Sequence, residues 1–498
     1  MRQLSGHDAG FLYSDTTHSN ANVSLLHIHD QSTAPGGVVR FKSILAQVER
    51  RLHRAPLFRQ RLQRVPLALD RPYWVDDPNF DLEYHVRHIA LPKPGDWRQF
   101  CIQASRIHAR ALDLDRPLWE LYVIEGLDSF LDLPAGSFAL LLKTHLAAVE
   151  LTHLAELGAL FYDSEPVPAA PPPPEPWFAD SAPGTLGLVT RGLVHSVTAP
   201  LRLARPLAQL ATRVAPAAAA LASEMLLRPE NLPVTRFNSV VSPHRVFETR
   251  RFTEAEVESV RRLVPGASFD DVVMAVCGGA LRRYLDGEGE LPEGHSLAAI
   301  VPRPAMDPAE GAAGAADAEA ATTWQHRLLR TDLADPLARL AALRDQARAA
   351  PDTVTRVLGS RALAEASEQA SAALLAVGRR WAGRIGARVG RRAPPANCTI
   401  SLLGAIGQAD ASGRSERPLY LCGARLTYFS AILPITDGLG LAFAVTRCDG
   451  RVIISPTSCR ELMPDPETFA QCLRDSFQEY LALAAAKAAA RKRRRAAA

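Results

Sequence analysis

The sequence lacks most of the features that announce a protein class at sight. No run approaches the roughly 20 apolar residues that would span a bilayer. The opening residues, MRQLSGHDAGFLY, carry charged and polar side chains where a secretory leader needs an unbroken apolar core. The seven cysteines, Cys101, Cys277, Cys398, Cys422, Cys448, Cys459 and Cys472, are odd in number and include no C-x-x-C pair. That pattern argues against a disulfide frame or a zinc site and for free thiols in a reducing compartment. His85, His88 and His108 are not spaced as ligands on one helix face, so no metal is expected. The nucleophile elbow G-x-S-x-G, the P-loop and the dinucleotide fingerprint G-x-G-x-x-G are all missing. A net charge of +4 over 498 residues is too small for a global nucleic-acid field. These absences predict a cytoplasmic protein without a nucleic-acid partner.

What is present divides the chain in two. Residues 1–163 read as an α/β unit. Val23–His29 and Leu118–Gly126 have strand composition, and Phe41–His53 repeats apolar residues at helical spacing. Ser137–Lys143 is a buried-strand pattern running into Thr144 and His145, and Val149, Leu154, Leu157, Leu160 and Phe161 predict a helix over 147–162. Ser164–Trp177 then holds seven prolines in fourteen residues, which neither a helix nor a central strand tolerates. Residues 164–230 therefore read as linker plus a basic Ala/Leu/Arg segment, and 231–486 as a second α/β domain. In that domain Glu254–Leu263 and Asp270–Asp286 predict helices, Gly311–Ala321 a loose loop, Leu419–Leu433 and Leu441–Pro456 sheet with a turn at Asp449-Gly450, and Pro466–Ala486 a closing helix. Residues 487–498 read as a disordered basic tail.

Two stretches contain no acid, Ser181–Ser223 and Ser371–Ala396. Their arginines punctuate an aliphatic background, a composition that suits a helix lying in an anionic lipid interface. It equally suits an ordinary helix covering a core with a solvated basic face.

Four blocks carry the argument further: Ser5–Tyr13 (SGHDAGFLY), Arg71–His88 (RPYWVDDPNFDLEYHVRH), Arg116–Leu127 (RPLWELYVIEGL) and Phe269–Tyr284 (FDDVVMAVCGGALRRY). Their order and spacing resemble the bacterial wax ester synthase/diacylglycerol acyltransferase family, as do Tyr420, Gly423, Asp437-Gly438 and Pro464-Asp465 near the end. The resemblance implies two chloramphenicol-acetyltransferase-like α/β domains around a central tunnel. It also implies acyl-CoA as co-substrate with no separate cofactor, diacylglycerol or a long-chain alcohol as acceptor, and a membrane or lipid-droplet surface as workplace. The family signature is HHxxxDG, whose second histidine is the general base for the acceptor hydroxyl.

Here the matching residues are His145, Leu146, Ala147, Ala148, Val149, Glu150 and Leu151. Leucine stands at the position of the base, and Glu150 keeps the acidic character of the motif's structural aspartate. Leu151 replaces a glycine, a change excluded if the backbone there needs positive φ. His145 is the candidate for a displaced base, against its reading as a hydrogen-bonded core histidine, and His153 is a weaker substitute. Asp270 and Asp271 match the family's Asn-Asp pair. Ser401 is kept within Asn397–Gly407, where the family's SNVPGP-like turn is otherwise lost, and all three are expected to line the tunnel. Trp119 reads as architectural. An active O-acyltransferase and a catalytically impaired paralogue that binds acyl-CoA or lipid both remain open. A condensation-type acyltransferase using another donor is a weaker third reading.

Overall fold

The computed structural model describes residues 1–129, 133–134, 136–167, 177–209, 232–304, 322–349, 355, 375, 394–407 and 417–497. Sixteen strands are described: β1 (Arg2–Gln3), β2 (Asn22–Asp30), β3 (Gln60–Gln63), β4 (Tyr73–Asp76), β5 (Val86–Ala90), β6 (Trp119–Leu127), β7 (Ser137–His145), β8 (Arg245–Phe247), β9 (Arg250–Thr253), β10 (Ala298–Pro304), β11 (Thr322–Leu328), β12 (Cys398–Ala405), β13 (Tyr420–Leu421), β14 (Ala424–Ile432), β15 (Ala442–Cys448) and β16 (Arg451–Cys459).

They form a six-stranded sheet in the order β13-β14-β2-β7-β6-β5 and a seven-stranded sheet in the order β11-β10-β12-β15-β16-β8, with β9 also on β16. A small sheet, β1-β4-β3, stands apart from both. β7 lies at the middle of the first sheet because its apolar run can be buried on both faces; all nine of its residues are buried. In the second sheet β10, β12 and β15 run parallel, so their carboxyl ends lie at one edge. The helices Glu254–Arg261, Phe269–Gly287, Pro336–Arg348 and Pro466–Ala497 form a layer sharing one continuous core with both large sheets.

Helix starts are encoded locally. Asp96 with Gln99 and Ser268 with Asp271 make reciprocal capping boxes that open Trp97–Ala109 and Phe269–Gly287. The turn between β15 and β16 holds Asp449 at φ 50° and Gly450 at φ 68°, the backbone that a two-residue hairpin requires.

β13 and β14 belong by sequence to residues 231–486, yet β14 pairs antiparallel with β2 and completes the first sheet. Sheet membership therefore does not follow the chain divisions at 163 and 231. β14 also touches the second sheet: the Ser430 and Ser455 hydroxyls are 2.5 Å apart, and Thr446 Oγ1 donates to the Phe429 carbonyl at 2.6 Å.

Two expectations need correction. The helix expected over 147–162 is a turn, a 3-10 turn at Leu151–His153 and a short helix at Leu154–Ala159. The Ala148 N–H bonds back to the His145 carbonyl at 2.8 Å, which turns the chain before a helix can begin. The basic end is not a loose tail either, since the closing helix continues through it to Ala497. Gly311–Ala321 and most of Ser164–Trp177 lie outside the described residues. So does nearly all of Ser371–Ala396, except residues 394–396 and Leu375, which is buried against Leu62, Trp74, Leu118 and Ala147.

Candidate active site

β7 delivers His145 to the end of the first sheet, opposite Asn22 of β2. The ring is buried and both nitrogens are engaged. Nδ1 accepts from the Ala147 N–H at 3.0 Å, and Nε2 faces Asp15 Oδ2 at 3.1 Å. A carboxylate can only accept, so Nε2 carries the proton and the Nδ1 lone pair is already used. Asp15 is itself fixed, because its Oδ1 accepts from the Ala21 N–H at 2.8 Å. In this arrangement His145 has no lone pair free to receive a proton from an acceptor hydroxyl.

Leu146 follows with its N–H on the Ala21 carbonyl at 2.9 Å and its side chain in the main core. Glu150 is half-buried and extended (φ −75°, ψ 149°) just ahead of the 3-10 turn. Leu151 opens that turn, lies outside the left-handed region and also joins the core. The backbone here therefore accepts leucine where the family motif has glycine. The turn packs against β10 and β12, and the short helix after it against β12, so the motif loop sits where the two sheets meet. His153 lies on the turn and is exposed.

Ser401 is buried in β12, opposite Ala444 of β15. The register slips between Leu402 and Gly404, and Gly404 takes φ 75°, so the altered Asn397–Gly407 segment is a strand ending in an irregularity. Asn397 anchors its start: Oδ1 accepts from the Ala298 N–H, and Nδ2 donates to the Pro233 carbonyl and to Asn238 Oδ1. Asp270 pairs with Arg303 of β10. Asp271 accepts from the Ser268 N–H at 2.8 Å and pairs with Arg327 of β11 at 3.3 Å, while burial lowers the Arg327 guanidinium pKa. The structure thus brings the motif loop to the β10–β12 surface that holds Ser401. The aspartates brace the start of their helix against β10 and β11.

Trp119 is fully buried, donating Nε1–H to the Phe58 carbonyl at 3.0 Å and stacking on His85 at 4.6 Å. A second polar cluster lies on the His145 face of β7. Buried Lys143 donates to the Ile107 carbonyl at 3.1 Å, at the end of helix 97–109, and lies 3.8 Å from Glu120; burial lowers its pKa to about 8. His108 is paired with Ser24 Oγ at 3.0 Å, and burial, then Arg245 and Lys143, hold its pKa well below the usual histidine value. Sequence reasoning missed Asp15 as the partner of His145, 130 positions away, because Asp15 lies two residues past the first landmark block. A cavity of about 370 Å³ lies elsewhere, between helix 254–261, the start of helix 269–287 and the β15–β16 hairpin.

Residues 4–273 match the model of the wax ester synthase/diacylglycerol acyltransferase catalytic domain, and residues 324–480 that of the family's C-terminal domain. The chain belongs to this family. A Mycobacterium tuberculosis protein named as a diacylglycerol O-acyltransferase is 29% identical over 488 residues, covering 97% of this chain and 90% of its own. A second from that organism, similarly named, is 34% identical over 355 residues, covering 69% of this chain and 70% of its own. Among solved structures, the wax ester synthase/diacylglycerol acyltransferase from Marinobacter aquaeolei VT8 superposes with a TM-score of 0.65 at 21% identity, covering 97% of this chain and 100% of its own. A cyclization-docking bidomain of a nonribosomal peptide synthetase from Sorangium cellulosum reaches 0.51 at 12% identity, covering 97% of this chain and 85% of its own. The two-sheet α/β fold expected from the resemblance is the fold of this chain.

Proposed function

We propose that this protein transfers a fatty acyl group from acyl-CoA to diacylglycerol or a long-chain alcohol, and does so without a histidine general base. The family match over 4–273 carries this reading. The acceptor oxygen attacks the thioester carbonyl, the new C–O bond forms, the C–S bond breaks, and the acceptor proton leaves with the CoA thiol. Acyl-CoA and acceptor meet at the motif loop between the two sheets, with Ser401 on the facing strand. No metal or separate cofactor is required. Holding two reactants in attack geometry supplies effective molarities of about 10⁵–10⁸ M. A missing base costs about 10²–10⁴-fold, so positioning alone sustains a slow enzyme. His145 then orders the motif loop through Asp15 and Ala147, and Glu150 is the structural acid beside it. We place the protein in the cytoplasm, working at a membrane or lipid-droplet surface where its apolar substrates reside.

A second reading has a specific observation in its favour. Leu146 cannot accept a proton, and the His145 ring is fully occupied, so a paralogue that binds acyl-CoA or lipid with negligible turnover is the alternative. Purified protein given palmitoyl-CoA with diacylglycerol or a long-chain alcohol, with CoA release followed by a thiol reagent, separates the two. Slow acceptor-dependent release, largely retained in His145→Ala, supports the proposed mechanism. Loss of at least about a hundredfold in His145→Ala would make His145 the base. Tight acyl-CoA binding with no release, and turnover appearing only in Leu146→His/Leu151→Gly, would establish the binding paralogue.

A further inference from the structure

The helix Thr185–Gln209 docks on the N-terminal half through one narrow stripe. Leu188 is buried with Val65 and Tyr73, and a Cβ at Gly192 would lie 2.9 Å from Leu69 Cβ, so only glycine allows this approach. His195 Nδ1 lies 2.6 Å from Asp70 Oδ2. At about 100° per residue, Leu188, Gly192 and His195 fall within roughly 60° of one another. Leu186, Leu193 and Val197 fall about 150° away, and they are 78%, 49% and 76% exposed. A helix apolar on two opposite faces needs cover on both, and among the described residues only one is covered.

Next to the docked Gly192, the turn Pro66–Ala68 carries another bare aliphatic side chain. Leu67 stands at φ 58° and Ala68 at φ 52°, and Leu67 is 90% exposed. A branched side chain held in the left-handed region merely to face water is strain without return in the isolated protein. The electrostatics point to the occupant. Ser181–Gln209 contains no Asp or Glu, and the exposed Arg64 and Arg191 flank the contact. Asp70 faces inward, its oxygens taken by the Tyr73 hydroxyl, His195 and the Arg71 N–H, and the exposed Asp180 stands ahead of the acid-free stretch.

We infer that the outer face of helix 185–209, together with Leu67, is the surface by which this protein seats on an anionic lipid layer. Aliphatic side chains enter the acyl boundary and the arginines meet the headgroups. The inference rests on the lipid-surface reading above and gives it a location.

The test uses the full chain and sedimentation with vesicles of phosphatidylcholine, alone or mixed with phosphatidylglycerol. Wild type binds the mixed vesicles more tightly. Leu193→Asp/Val197→Asp weakens that binding by more than about tenfold and Leu67→Asp by several-fold, while Arg191→Glu removes the preference for phosphatidylglycerol. Circular dichroism and CoA release with a detergent-dispersed acceptor stay at wild-type levels, so misfolding does not explain the loss. Val197→Trp shifts its emission to the blue on mixed vesicles, which reports entry of that face. Wild type that ignores both vesicle types overturns the lipid-surface reading and this inference together. Wild-type binding that the outer-face variants leave intact overturns only the inference. A dimer in light scattering that Leu193→Asp/Val197→Asp dissociates, without vesicle binding, assigns the face to a second copy and overturns it too.

Discussion

At the scale of single residues, the motif region is apolar where its family is polar, and packing explains how it tolerates this. Leu146 and Leu151 are core residues, while His145 is tied at both nitrogens. Replacing His145 by alanine strands Asp15 Oδ2 and the Ala147 N–H. It is expected to cost about 1–3 kcal/mol of stability in denaturant titration, and to change kcat much less than loss of a base would. Leu146→His with Leu151→Gly should raise kcat by at least about tenfold, part of the 10²–10⁴-fold that base catalysis supplies. No gain in a folded variant would mean that the missing base is not what limits the rate. His27 offers a separate test. It is fully buried, stacked on Phe429 at 5.2 Å, and among the described residues neither ring nitrogen has a hydrogen-bond partner. Burial lowers its pKa to about 3. The unfolded chain takes a proton that the folded chain refuses, so stability falls as pH drops from about 6.5 toward 3, by up to a few kcal/mol. His29 is shifted the same way by burial and by His27. His27→Leu should therefore raise the Tm more at pH 5 than at pH 8; equal shifts would contradict the burial argument.

At the scale of elements, the informative pieces were those whose neighbours in sequence are their neighbours in space. β7 was legible because Phe138–Leu142 is an unbroken apolar run, and helices 254–261 and 269–287 because their caps are spelled within four residues. The motif turn was not, because Leu154, Leu157 and Phe161 sit at helical spacing while the chain ahead of them is bent by the Ala148–His145 bond. The Asp15–His145 pair was not, because the link spans 130 positions and neither residue has a local signature. The landmark blocks located the motif, but what its ring nitrogens do depended on Ala147 and on Asp15, which no block contains. Helix 185–209 shows the same division: its composition flagged a surface role, but only the docked stripe reveals which side is spare. Gly192→Leu should force the helix off Leu69 and Val65, an overpacking cost of about 1–3 kcal/mol. Hydrogen exchange would then rise across Thr185–Gln209 while β2 and β7 stay protected; uniform protection would mean that the helix packs elsewhere.

At the scale of the whole molecule, the two sheets are stitched together by β14, which carries chain from the second half into the first. A fragment of residues 1–209 keeps β2 and its pairing with β7 but loses β14, leaving one long edge of unpaired N–H and C=O groups. Expressed alone it should aggregate, and coexpression with residues 232–498 should restore solubility and acyl-CoA binding. A soluble, monomeric 1–209 fragment would show that β14 is dispensable to the first sheet.

That strand crossing also sets a timetable. The partners of β2 on its β14 side lie about 400 residues further along the chain. At about 5–20 residues per second a ribosome needs roughly 20–80 s to supply them. Throughout that interval the nascent first half presents a bare β2 edge, so the yield of this protein in a cell depends on what shields that edge during synthesis.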